Sequence, residues 1–173
     1  MDNKTNQNSS ESIKKLAELI KDIEVAMMTT SDPDGCLRSR PMGTQRIEFD
    51  GDLWFFTSRE SGKVIAIEND QQVNLAYSSP NDMRYVSVTG KASIVEDRSR
   101  AAELWSPIYR SWFPKGLQDP NLVLIKVEVE SAEYWDYHSS KMISLLDLAK
   151  SLITKEGVVD RNKERHDKLS IHH

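Results

Sequence analysis

The period of the hydrophobic positions changes several times along the chain, and each change marks an element. In SSESIKKLAELIKDIE (9–24), Ile13, Leu16, Ala17, Ile20 and Ile23 recur on one helical face, with Ser9 or Ser10 placed to cap it. VAMMTTS (25–31) is a nearly continuous apolar run and predicts a buried strand. DPDG (32–35) predicts a tight turn, so CLRSRPMGTQRIEF (36–49) is the return strand of a hairpin. DGD (50–52) is a second turn and LWFFTS (53–58) a third strand. Ser61-Gly62-Lys63 opens a short helix, GKVIAIENDQ, after which VNLAYSS and RYVSVTGKASIVED read as strands. Gly90 inside the second of these predicts a bulge or bend.

Residues 98–113, RSRAAELWSPIYRSWF, read as one helix, and 114–121 as a loop. The alternation in LVLIKVEVESAEYWDYH (122–138) predicts a pair of strands. KMISLLDLAKSLIT (141–154) has amphipathic helical spacing, whereas RNKERHDKLSIHH (161–173) offers no face to bury and predicts a mobile tail. Most strand-to-strand connections are too short for parallel crossovers. The expected fold is therefore α+β and mainly antiparallel, a small barrel with flanking helices. The expected organisation is a disordered segment over 1–10, one domain over 11–155 and a polar tail over 156–173.

Charge narrows the function classes. A formal net charge of -4 argues against bulk attraction to nucleic acid or to an anionic membrane. Cys36 is the single cysteine, which excludes an internal disulfide and suits a reducing compartment. The first residues lack a signal-peptide layout and no apolar run approaches a membrane span, so the expectation is a soluble, cytoplasmic protein. His138, His166, His172 and His173 form no metal-ligand spacing, and no metal site is expected. No nucleophile elbow or Walker motif occurs; TGKAS (89–93) lacks the upstream glycine and lies in a strand.

Against that acidic background, Arg38, Arg40 and Arg46 crowd one strand beside Pro41. A solvated edge, a nucleic-acid groove and a cradle for a small phosphorylated molecule are the three readings. Arg38 and Arg40 share a face, since strand residues two apart point the same way. Thr57, Ser58, Ser61 and Lys63 lie where a strand gives way to a helix N-terminus, a setting that is either an ordinary cap or a phosphate seat. If the hairpin pairs with strand 53–58, the two basic groups converge on one anion. Trp105, Tyr109, Trp112 and Phe113 make an aromatic group. Trp105 suits core packing, while Trp112 and Phe113, at a helix end before Pro114, could if exposed stack on a flat ring or meet a partner chain. Arg110 and Lys115 beside them would suit single-stranded nucleic acid, which the acidic balance disfavours.

The segments RSRPM (38–42), LWFFTSRESGKVIAIENDQQVNLAY (53–77), YVSVTGKASIVED (85–97), WFPKGLQDPNLVLIKV (112–127) and AEYWDY (132–137), in this order, resemble the general stress protein branch of the pyridoxamine 5'-phosphate oxidase-like superfamily. The resemblance runs from about Ile13 to Leu152. It implies a split β-barrel that forms a homodimer with flavin mononucleotide (FMN) in two shared clefts, flavin adenine dinucleotide (FAD) being possible. It implies that Arg40 meets the flavin phosphate or ribityl chain and that Met42 and Thr44 run along the ring. Phe56 and Thr57 would contact the flavin, with Ser61 and Lys63 on its phosphate. Trp112 and Phe113 would come from the second subunit, and Trp135 would stand at the end of the cleft.

Two departures separate the chain from the true oxidases. Gly62 replaces a second basic residue at the helix start, and the C-terminal arginine and histidine segment that grips pyridoxal phosphate has no counterpart. Oxidation of vitamin B6 is therefore not implied. The implied activity is a flavin-dependent oxidoreductase acting on an unassigned small molecule, with no residue announcing itself as acid or base. The alternatives are a non-catalytic flavin-binding or flavin-sensing stress protein, or a split barrel holding haem or a deazaflavin. For haem, His138 is the one histidine outside the tail.

Overall fold

The computed structural model describes residues 12–45, 50–136 and 166–170, the last of these as backbone only. Helix α1 covers residues 12–20. It is followed by β1 (Val25–Ser31), β2 (Leu37–Gly43), β3 (Asp52–Ser58), α2 (Gly62–Asn69), β4 (Gln72–Ser79), β5 (Arg84–Val95), α3 (Arg98–Leu104), β6 (Leu122–Asp136) and β7 (His166–Ser170). The strands form one sheet in the order β2-β1-β4-β5-β6-β3, every neighbouring pair antiparallel, with β7 on the same β6 edge as β3. The sheet curls until its two end strands, β2 and β3, lie against each other without forming a ladder. The result is a half-barrel, split along the β2–β3 seam.

Alternation along the strands fills the barrel. Ala26, Met28, Met42, Leu53, Phe55, Leu75, Tyr77, Val86 and Val88 point inward, and α1 contributes Leu16, Leu19 and Ile20 to the same core. Burying each such leucine or isoleucine contributes roughly 1.5–3 kcal/mol. A smaller cluster on the outside of β3 and β6 joins Ala101 and Leu104 of α3 to Phe113, Leu122 and Leu124.

Gly90 is required by close approach. A Cβ there would stand 2.3 Å from the Glu128 carbonyl oxygen, and the β5–β6 register shifts between Thr89 and Gly90, where Glu130 is the unpaired extra residue. The expected bulge is thus present.

Several expectations are corrected. Residues 122–136 form one long strand, because the Glu130 bulge absorbs the phase change that mimicked two strands. Residues 98–113 do not form one helix: α3 stops at Leu104, and Pro107, lacking an N–H, starts a separate 3-10 turn over Pro107–Ser111. Strand β1 is buried on one face only, with Val25 51% and Met27 40% exposed on the other. The tail, expected to be mobile, contributes β7, paired with β6 from Ser131↔Ser170 to Trp135↔His166. A strand can be held by its ladder where its side chains give no hydrophobic signal. The expected helix over 141–154 lies outside the described residues, as do Arg46 and His138.

Candidate functional site

The basic groups meet at one end of the barrel, although β2 and β3 do not pair. Arg40 sits on edge strand β2 with the same parity as inward-facing Met42, so its guanidinium enters the barrel end instead of leaving it. Arg40 Nη1 donates to the buried hydroxyl of Thr30 at 2.8 Å, and Nη2 donates to Asp32 Oδ1 at 3.4 Å. Arg38 also pairs with Asp32. One carboxylate from the hairpin turn thus steadies both arginines. Pro41 is accommodated because β2 is an edge strand with a single ladder partner.

The second group arrives across the seam. Lys63 Nζ donates to Ser61 Oγ at 2.9 Å and to Thr57 Oγ1 at 3.2 Å, and Thr57 itself is buried. The Ser61 hydroxyl makes no cap bond to α2, so it serves Lys63 and not the helix end. No acidic residue occupies the first turn of α2, which leaves the positive end of its dipole uncompensated by a side chain. A Cβ on Gly62 would lie 3.9 Å from Arg40 Nη2, so this turn faces the guanidinium directly. Burial, and secondarily the Arg40 charge, holds the Lys63 ammonium below the ordinary lysine pKa. Among the described residues no salt bridge joins Lys63 to a carboxylate. Two cations, two buried hydroxyls and a helix N-terminus, with Asp32 as the adjacent acid, make a seat with net positive charge that suits a phosphate.

The other expected residues are distributed differently. Met42 is buried in the barrel core, so only its backbone faces the seam. Thr44 donates its hydroxyl to the Ile23 carbonyl and its amide to the Glu24 carbonyl, tying β2 to the end of the α1 segment. Phe56 is on the outer face of β3, its ring 4.6 Å from Tyr109 and 5.7 Å from Trp105. Trp112 is 67% exposed at the edge of this aromatic group, 6.5 Å from Tyr109. Phe113, expected to reach the cofactor from the second subunit, is 6% exposed and sits in the α3 cluster, so the condition of exposure is not met. It points inward because the chain turns at Pro114 and buries one of the two neighbouring rings. Trp135, near the end of β6, is aligned with Tyr85 and His166.

Sequence reasoning missed Thr30, Asp32 and Tyr109. Thr30 was legible, since it continues the inward series Ala26, Met28, Thr30. Asp32 looked like a plain turn residue. The Tyr109 hydroxyl accepts a 2.8 Å hydrogen bond from Gln45 Nε2, and its ring lies beside Gly43. It roofs the outer side of the seam.

The family model described as "Pyridoxamine 5'-phosphate oxidase like" matches residues 11–160, and the chain belongs to that family. Several of the proteins it is similar to are general stress proteins. Protein bli-3 of Neurospora crassa is 31% identical over 163 residues, covering 88% of this chain and 78% of that protein. General Stress Protein 26 from Bacillus anthracis superposes with a TM-score of 0.61 at 29% identity, over 72% of this chain and 91% of the other. A general stress FMN/FAD binding protein from Xanthomonas citri gives 0.63 at 26% identity, over 73% and 89%. These folds are split barrels of the same kind. Among the described residues no helix is long and apolar enough to cross a membrane.

Proposed function

We propose that the chain is a flavin-binding protein, with FMN as the favoured cofactor and FAD as the alternative, and that it works as a flavin-dependent oxidoreductase. The observation that carries the reading is the cation pair Arg40 and Lys63, converging across the seam with a Lys63 pKa depressed by burial and by its neighbour. Asp32 already pairs with Arg40, but no carboxylate pairs with Lys63 among the described residues, and a half-buried ammonium beside a guanidinium is unfavourable until a further anion joins them. The Xanthomonas citri relative, described as an FMN/FAD binding protein, supports the same reading.

The residues present fit such a cofactor. Lys63, Ser61 and the α2 N-terminus would take its phosphate, with Arg40 on the phosphate or the ribityl chain. Thr57 and Thr30 hold those cations in place. The backbone of Met42 to Thr44 and the ring of Phe56 would line the flat end. Bound flavin would supply the electron transfer, and the chain would hold and orient it. Trp112 would pack against the ring from a second copy. A homodimer is supported by the apolar residues on the outer surface, Val25, Met27, Leu37 and Trp112, which a monomer leaves in water.

The test is identification of the small molecule that co-purifies, followed by titration of the stripped protein with FMN, FAD and riboflavin and by measurement of particle mass. FMN binding tighter than riboflavin, by a twofold-symmetric particle, is the expected result. A chain that takes up no flavin overturns the reading. A yellow protein that nicotinamide reductants do not bleach would leave it a flavin binder without turnover.

A further inference from the structure

The β1–β2 hairpin brings a third cation up to the basic seat. Arg40 stands opposite Met28 in the ladder, yet its guanidinium reaches back to the hydroxyl of Thr30, the residue opposite Arg38. The head of Arg40 is thereby drawn toward the turn. Arg38 lies two residues earlier on the same face of β2 and shares its carboxylate: Asp32 Oδ2 takes Arg38 and Oδ1 takes Arg40. The two arginines differ in depth. The Arg38 side chain is 58% exposed and that of Arg40 26%, so Arg38 stands at the rim and Arg40 within.

Asp32 on its own would work against the seat. It steadies Arg40 by an ion pair, but a carboxylate beside a bound phosphate repels it and offsets one of the two cations that face it. Arg38, on the other carboxylate oxygen, cancels that charge from the solvent side. The three cations Arg38, Arg40 and Lys63 set against the carboxylate of Asp32 leave two positive charges net, and without Arg38 one would remain. A phosphate monoester approaches a dianion at neutral pH.

We propose that Arg38 is a positioning residue of the phosphate seat: it neutralises Asp32, so that this carboxylate holds Arg40 in place without cancelling the charge that Arg40 and Lys63 present. The role rests on the phosphate-seat reading above and adds to it a residue that acts through Asp32 and not through contact with the cofactor.

The test titrates the full chain with FMN and with riboflavin at low ionic strength, where an exposed charge is least screened. Arg38→Gln should weaken FMN about three- to fivefold, the scale of an exposed ion pair, and leave riboflavin unchanged. Arg38→Lys, which keeps the charge, should stay near the natural value. Adding Asp32→Asn to Arg38→Gln restores the charge balance, and the new amide oxygen can still accept from Arg40, so FMN affinity should recover. A double variant as weak as Arg38→Gln would put Arg38 on the ligand itself and overturn the proposal. Equal losses for FMN and riboflavin, or no loss for either while the natural chain binds FMN, would overturn it too. A natural chain that binds neither flavin would overturn the phosphate seat and this role together.

Discussion

Arg40 faces the first turn of α2 across the β2–β3 seam, and its charge adds to burial in lowering the pKa of Lys63. The two residues are 23 positions apart and on elements that share no ladder. Their proximity is a product of barrel curvature, and it makes a site whose properties respond to charge, pH and substitution.

Replacing Arg40 or Lys63 with alanine should weaken FMN by roughly ten- to a hundredfold each, the value of a charge-assisted hydrogen bond of about 1.5–3 kcal/mol. Riboflavin, which lacks the phosphate, should lose much less. Fluorescence titration of both ligands against both variants checks this. Equal losses would remove the phosphate from the seat.

The depressed Lys63 pKa sets two pH dependences of known sign. Without ligand, the unfolded chain holds the lysine proton at pH values where the folded chain has already released it. Stability from this group therefore rises with pH between the lowered folded value and the ordinary lysine pKa of 10.5. With an anion bound, the protonated form is needed, so FMN affinity should fall as pH rises through the lowered value. Lys63→Arg should move that alkaline limb upward. Affinity measured from neutral pH upward decides it; a flat profile for the natural protein would contradict a cationic role.

Neighbouring rings should separate by function. Trp112→Ala removes a 67% exposed indole and should leave thermal stability nearly unchanged while reducing dimer formation and flavin affinity. Phe113→Ala empties a buried position and should cost about 3–5 kcal/mol in denaturant unfolding. If Trp112→Ala changes neither mass nor affinity, it has no role at an interface.

Gly90→Ala places a methyl group 2.3 Å from the Glu128 carbonyl oxygen. The strands must separate to admit it, so a loss of about 3 kcal/mol is expected, together with weaker protection of β5 and β6 amides in hydrogen exchange. Deleting Glu130, the unpaired residue of the bulge, should leave Ser131 opposite Thr89 and Val129 opposite Gly90 in a regular ladder, so the register holds and the bulge is lost, which the same exchange experiment reads as unchanged or stronger protection.

The sequence by itself determined strands β1 to β5 and their order of appearance, the hairpin turn at 32–35, the Gly90 irregularity and the identity of the two basic groups. All of these are local: they depend on alternation, turn chemistry and residue type within a few positions. The break before Pro107 was also written there, in a residue that cannot donate, but the aromatic spacing on either side obscured it. Tertiary structure alone decided which end of the barrel Arg40 enters, that Asp32 and Thr30 hold it, and that Phe113 turns inward while Trp112 turns out. Those outcomes depend on how far the sheet curls and on which faces meet after it has curled, and no period along the chain encodes that curvature.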